Sequence, residues 1–190
     1  MIVDLPRRGG LPRRAFSIRL AGDPSHGLIF AGYVLAEAAL LERRAVAHAP
    51  TLGAAARGQV SGGALRIAGD PREYPLVETP DCLLLTSETA LQRFGASLKP
   101  GGWLLVDESL AAGAPEVAIP LPLVRTAVES GGTALVVDVV AAAVVTAITG
   151  AVSRRALHEA VARLLPERMR LAGLAALDAG MELGRSRIVA

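Results

Sequence analysis

The chain has 190 residues, of which 52% are hydrophobic and 20% charged; that is enough for one domain with a sizeable core and too apolar for a disordered chain. A formal net charge of +2 with only 3% aromatic residues argues against a nucleic-acid binder, which needs a basic stripe or a series of stacking rings. The single cysteine, Cys82, excludes an internal disulfide and any zinc or iron–sulfur site built from several cysteines of this chain, and it suits a reducing cytoplasm.

Residues 1–14 hold Arg7, Arg8, Arg13 and Arg14 among prolines and glycines, and they read as a flexible basic arm ahead of a single domain over 15–190. No apolar stretch follows this basic start, so no secretion signal is expected. Ser17 to Ala21 alternates polar and apolar and ends at Gly22, which predicts a strand. The turn Gly22-Asp23-Pro24-Ser25-His26-Gly27 leads into an apolar helix over about 27–43. Ala45–His48 reads as a second strand closed by Pro50, residues 51–61 as a loop, and Gly63–Ala68 as a third strand. Asp81–Thr86 is an apolar run suited to a strand covered on both faces. Ser87 is an N-cap for a short helix to about Leu98, and Trp103–Asp107 and Glu116–Ile119 read as further strands, the latter stopped by Pro120. Helices are predicted over about 123–130, 134–149, 153–164 and 167–184, the last ending near Gly184. The segment 134–149 is apolar but carries Asp138, and it is shorter than the about 20 residues of a membrane span; a buried helix is expected, and no membrane contact.

Strands alternating with helices through the first two-thirds predict a three-layer α/β/α domain with a Rossmann-like, mostly parallel sheet. The helical C-terminal third is expected to cover one face or to offer a partner surface. In such folds a strand–turn–helix opening receives phosphate or carboxylate groups, because the free N–H groups of the first helical turn point at the ligand. Gly22, Ser25, His26 and Gly27 are therefore candidate ligand contacts. Arg57 and Gly58 join them, as an arginine in a glycine-flanked loop can grip an oxyanion bidentately. A dinucleotide fingerprint is not met: Pro24 stands where the middle glycine would be, and the second strand ends in Ala47-His48-Ala49 with no ribose-binding carboxylate. His26, His48 and His158 lack metal-ligand spacing, and no G-x-S-x-G elbow supports a serine nucleophile. Neither a catalytic residue nor a metal ligand is therefore assigned. Asp107 and Glu108 after a buried strand are either an acid–base pair or a solvated turn. Asp138, set in an apolar helix, must find hydrogen-bond partners, face a subunit contact, or take up a proton.

Taken in order, these motifs resemble the gamma subunit of the 2-oxoacid:acceptor (pyruvate, 2-oxoglutarate or ketoisovalerate ferredoxin) oxidoreductases. The family's G-x-G-G-Q-G turn and A-G-x-x-L-A-E-A helix correspond to Gly22–Gly27 and to Ala31-Gly-Tyr-Val-Leu-Ala-Glu-Ala38. Its Y-G-x-x-x-R-G-G loop and V-R-I-S strand correspond to Leu52-Gly-Ala-Ala-Ala-Arg-Gly-Gln59 and Leu65-Arg-Ile-Ala68. The strand from Asp81, the turn Lys99-Pro-Gly-Gly102 with Asp107, and Ala175-Ala-Leu-Asp-Ala-Gly180 also match, and Pro50 points to the 2-oxoglutarate or general oxoacid group. The chain departs from the family at Pro24, Ser25 and His26 in the turn, at Gln59, and at Thr86, Asp138 and Gly173, where asparagines are typical. The resemblance implies a subunit without activity alone. Alpha and beta chains would hold thiamine diphosphate between them, iron–sulfur clusters would lie on other chains, and ferredoxin would be an indirect partner. Gly22–Gly27 and Arg57 would face the region that receives coenzyme A, and this chain alone would bind no cofactor. A homodimer is expected when the other subunits are missing. The alternative is a diverged protein on the same fold that binds coenzyme A or a nucleotide, or regulates.

Overall fold

A computed structural model describes residues 15–52, 60–68 and 77–188. The predicted basic arm and the Arg57 loop lie outside them. Six strands, β1 (Phe16–Gly22), β2 (Ala45–Thr51), β3 (Ser61–Ala68), β4 (Cys82–Leu85), β5 (Trp103–Asp107) and β6 (Ile119–Leu121), form one sheet in the order β2-β3-β1-β4-β5-β6. β1, β4, β5 and β6 pair in parallel, while β3 is antiparallel to both β1 and β2. β3 alone among the described strands therefore runs against the rest, and the sheet is mostly parallel.

The helices are α1 (Leu28–Leu41), α2 (Glu88–Phe94), α3 (Leu123–Gly131), α4 (Val137–Thr149), α5 (Arg154–Leu164) and α6 (Glu167–Ile188). Strand alternation sorts the core into two clusters. Ile18, Leu20, Leu65, Ile67, Cys82, Leu84, Leu105 and Leu121 face α1, α3, α4, α5 and α6. Ala21, Leu83, Leu85, Leu104 and Val106 face only α2 and the 3-10 segment Glu108–Gly113. The layers are three but unequal. The stretch Pro24–Leu41 is apolar and long enough to cross a membrane by composition alone. In the fold, Leu28, Ala31, Val34, Leu35, Ala38 and Ala39 are almost wholly buried in the first cluster, as a core helix requires. The helical C-terminal third does cover one face, with α4 buried along nearly its whole length.

Three boundaries differ from expectation, each through a punctuating residue. Pro50 does not close β2, which runs on to Thr51 with Pro50 opposite Gly63; β2 is an edge strand, so a missing N–H breaks no ladder on its free side. The last strand is not Glu116–Ile119 but Ile119–Leu121, with Pro120 at its centre opposite Val106, again on an edge. Gly184 does not end α6. A Cβ there would lie 2.6 Å from Ala147 Cβ, and one at Gly180 would lie 2.8 Å from Ala143 Cβ and 2.9 Å from the Val140 carbonyl oxygen. Both glycines let α6 lie against α4, a role that outweighs their cost inside a helix.

This contact yields a stability test. Gly180→Ala removes a helical glycine, a change worth about 1 kcal/mol in favour of folding where space allows. Here it is expected to lower stability by roughly 1–3 kcal/mol, read as a lower urea midpoint. Gly113→Ala, whose Cβ would meet nothing within 4 Å, is expected to leave the midpoint unchanged.

Candidate functional site

α1 leaves the end of β1 on one face of the sheet, and α2 leaves the end of the neighbouring β4 on the other. A crevice opens at such a switch of side, beyond the carboxyl ends of the strands. Gly22 closes β1 at this point. Its glycine is required by close approach: a Cβ would lie 1.8 Å from Thr86 Oγ1 at the end of β4. Thr86 also holds the turn, since its Oγ1 lies 2.9 Å from His26 Nδ1. Asp23 caps the 3-10 turn Pro24–His26 by accepting from Ser25 N (2.8 Å) and Ser25 Oγ (2.6 Å), and these hydrogen bonds hold its carboxyl below the usual range. His26 N donates to the Asp23 carbonyl at 3.0 Å. Gly27 has φ +62°, the left-handed region that favours glycine, and begins α1.

The donors left for a ligand follow from this inventory. Pro24 has none, and the N–H groups of Ser25 and His26 are turned inward to Asp23. The N–H groups of Leu28 and Ile29, in the first turn of α1, have no intrahelical acceptor. The residues present therefore fit one anionic group at the start of α1, not a pyrophosphate wrapped by a glycine loop.

Asp138 flanks this point from α4. Its side chain is buried; Oδ1 accepts from Val139 N at 2.7 Å, and Oδ2 lies 3.0 Å from where a Gly27 Cβ would be. Burial pushes its pKa up to about 7, against a smaller downward pull from backbone N–H groups. Of the alternatives, a hydrogen bond to a loop is not made among the described residues; the carboxyl accepts from its own helix terminus and is about half protonated near pH 7.

Arg57 and Gly58 lie outside the described residues. The strands flanking their loop end at Thr51, opposite Gly62, and begin at Ser61, opposite Gly22, so both roots of the loop spring from the sheet end that carries Gly22–Gly27. Asp107 and Glu108 form no acid–base pair: Asp107 accepts from Ser109 N and Oγ (3.1 and 2.7 Å), and Glu108 pairs with Arg125 at 3.0 Å. His48 fills a slot between Gly32 and Gly63, where a Cβ would lie 2.4 and 2.5 Å from its Nε2. Neither ring nitrogen has a partner, and burial lowers its pKa, which keeps the ring neutral. Among the described residues no group of His, Cys, Asp and Glu could hold a metal ion. Sequence reasoning marked Thr86 only as a departure from the family's usual asparagine at the end of a buried strand and did not name it as a site residue.

Fold and site together define an open α/β domain with a strand–turn–helix opening at its switch point. The sequence pattern of the family described as "Pyruvate ferredoxin/flavodoxin oxidoreductase" matches residues 17–183, and the chain belongs to that family. It is 35% identical over 176 residues to 2-oxoglutarate synthase subunit KorC of Methanothermobacter thermautotrophicus, covering 87% of this chain and 93% of that one. Identity to KorC of Methanocaldococcus jannaschii is 30% over 174 residues, covering 88% and 93%. Among solved structures it is similar to the keto/oxoacid ferredoxin oxidoreductase gamma subunit of Geobacter sulfurreducens, with a TM-score of 0.79, 30% identity, and 90% and 99% of the two chains covered. The 2-oxoglutarate:ferredoxin oxidoreductase of Magnetococcus marinus, solved with 2-oxoglutarate, coenzyme A and succinyl-CoA, shares the fold at 22% identity and a TM-score of 0.77 over 91% of this chain and 31% of that one.

The state of Asp138 can be read from stability. A carboxyl whose folded pKa is raised lends stability below its unfolded pKa, and that stability is lost as pH rises through the folded value of about 7. Asp138→Asn does not titrate. Its advantage over the native chain is expected to be near zero at pH 4, to grow up to pH 7, and to level above it at no more than about 4 kcal/mol. Chemical denaturation across that range checks this; a flat difference rejects it.

Proposed function

We propose that this chain is the gamma subunit of a 2-oxoacid:ferredoxin oxidoreductase of the 2-oxoglutarate group, acting in the cytoplasm and silent alone. The complex would convert a 2-oxoacid and coenzyme A to acyl-CoA, carbon dioxide and reduced ferredoxin. The observation that carries the reading is near-complete, end-to-end correspondence with KorC and with the Geobacter gamma subunit. Thiamine diphosphate would sit between alpha and beta chains and iron–sulfur clusters on other chains, since Cys82, the chain's single cysteine, is fully buried. Coenzyme A supplies the thiol that accepts the acyl group. The part of this chain would be to hold one of its anionic groups at the α1 start, between His26, Gly27 and Asp138, with Arg57 as a bidentate partner from the neighbouring loop. When expressed alone, the chain is expected to form a homodimer.

Co-expression with the alpha- and beta-type chains tests this. The expected result is a stable complex with 2-oxoglutarate-dependent ferredoxin reduction that is absent from each part. Arg57→Ala is expected to assemble normally and to raise the KM for coenzyme A by roughly tenfold or more, the worth of one charge-assisted hydrogen bond. A thermal shift of several degrees with coenzyme A or a nucleotide, with no partner recruited, would instead favour a stand-alone binder. Light scattering of the isolated chain at high concentration would read a monomer if no self-association occurs.

A further inference from the structure

β2 and α1 pack together at one edge of the sheet, and each is left unfinished there. β2 is an outer strand, seven residues long, and carries no charge. Ser17 and Ala21 of β1 accept from the Asp81 and Thr86 N–H groups on the β4 side. Alternation carried through the register of β1, β3 and β2 then turns the backbone of Ala45, Ala47 and Ala49 towards β3. Val46, His48 and Pro50 direct their backbone groups to the free edge, where the missing N–H of Pro50 costs no hydrogen bond.

α1 shows the same incompleteness in its side chains. Glu37 is its one charged residue and pairs with Arg163 at 3.4 Å. The rest of the helix is apolar on all sides, the pattern of a helix that is buried all round. The sheet, α4 and α5 cover most of its circumference, but one side stays open. Tyr33 meets the His48 ring edge-on, 4.8 Å between centroids, which places Tyr33 on the β2 side. Ala36 and Leu40 follow it on the same face at helical spacing. Tyr33 is 48% and Leu40 55% exposed. An apolar stripe therefore runs beside a strand whose hydrogen-bonding edge is unused.

We propose that two copies of this chain pair along this edge, β2 against β2 in antiparallel about a two-fold axis at Ala47, with the open sides of the two α1 helices closing beside the joined strands. The inference names the surface of the homodimer proposed above and rests on that reading. An extended strand is what satisfies a row of alternating N–H and C=O groups, and an antiparallel edge is complementary to itself under a two-fold. With the axis at Ala47, Val46 and His48 exchange hydrogen bonds with the partner's His48 and the partner's Val46, and Pro50 falls outside the exchanging pairs. Like meets like across the axis without repulsion, because β2 has no charged residue and burial keeps the His48 ring neutral. The other outer strand, β6, has three residues with Pro120 at its centre, a poor template for pairing. Head-to-tail growth of β2 on β6 is thereby disfavoured, and β2 on β2 closes at a dimer.

Analytical ultracentrifugation of the full chain and of three variants tests this. The native chain is expected to sediment as a dimer. Leu40→Lys, at an exposed position, is expected to raise the dimer dissociation constant roughly tenfold or more, since pairing would bury an unmatched charge. Ala47→Cys reads the axis itself: residues facing each other in a non-hydrogen-bonded antiparallel pair hold their Cα atoms about 4.5 Å apart, within reach of a disulfide. Cys82 is buried, so oxidised glutathione is expected to cross-link Ala47→Cys into a covalent dimer and to leave Ala49→Cys, which would face the partner's Ala45, unlinked. A dimer that Leu40→Lys does not weaken, or in which Ala47→Cys links no better than Ala49→Cys, overturns this surface while the homodimer stands. A native chain that is monomeric at high concentration overturns both and leaves the edge to another chain; the gamma-subunit reading is decided separately by co-expression. Unchanged far-ultraviolet circular dichroism verifies that the variants fold.

Discussion

The contact between Gly22 and Thr86 sets the geometry on which the candidate site depends. β1 and β4 are parallel neighbours, and their ends must diverge because one chain continues to α1 on one face and the other to α2 on the opposite face. The hydroxyl of Thr86 occupies the space that a side chain at position 22 would need. It then reaches the His26 ring, fixing the turn that aims α1. A methyl group at position 22 would have to displace the Thr86 side chain, and with it the hydroxyl that reaches His26. The site is thus built from a missing methyl group and one hydroxyl, not from a run of glycines.

That arrangement bears on what the turn can do. A glycine-rich loop presents successive N–H groups to a phosphate, whereas here Pro24 has none and Asp23 takes those that follow. An acidic side chain at the mouth of an anion site works against it, yet Asp23 faces its own turn and Asp138 is half neutral at its pKa of about 7. The positive end of the α1 dipole is therefore only partly offset.

Much of this was legible in the sequence. The α/β alternation, the Ser87 cap, the buried runs at 82–85 and 103–107 and the strand–turn–helix opening follow from local periodicity and cap chemistry. What failed was punctuation. Pro50, Pro120 and Gly184 look like stops, but whether a proline breaks a strand depends on which edge is free, and whether a glycine ends a helix depends on what lies against it; both are settled by neighbours distant in the chain. The same holds for the site. Gly22, His26 and Gly27 were visible as a local motif. Their partners Thr86 and Asp138 lie 60 and more residues away, and nothing local says that a threonine ending one strand supports a turn after another.

The two faces of the sheet treat buried charge differently, and the difference is chemical. On the thick face the buried acid, Asp138, lessens the cost of ionisation by binding a proton over part of its population near pH 7. On the thin face the half-buried charge belongs to an arginine, Arg19, which has no neutral form in reach. A carboxyl can meet burial from within the fold, whereas a guanidinium has to be met by an acceptor. Phe94 and the Val77 carbonyl supply part of that for Arg19, but neither cancels a charge, and Arg93 adds a second. Arg93 is exposed and water meets its charge, so the cost on the thin face falls on Arg19, whose buried Nε stays without an acceptor, whereas the acid on the thick face can shed its charge by binding a proton.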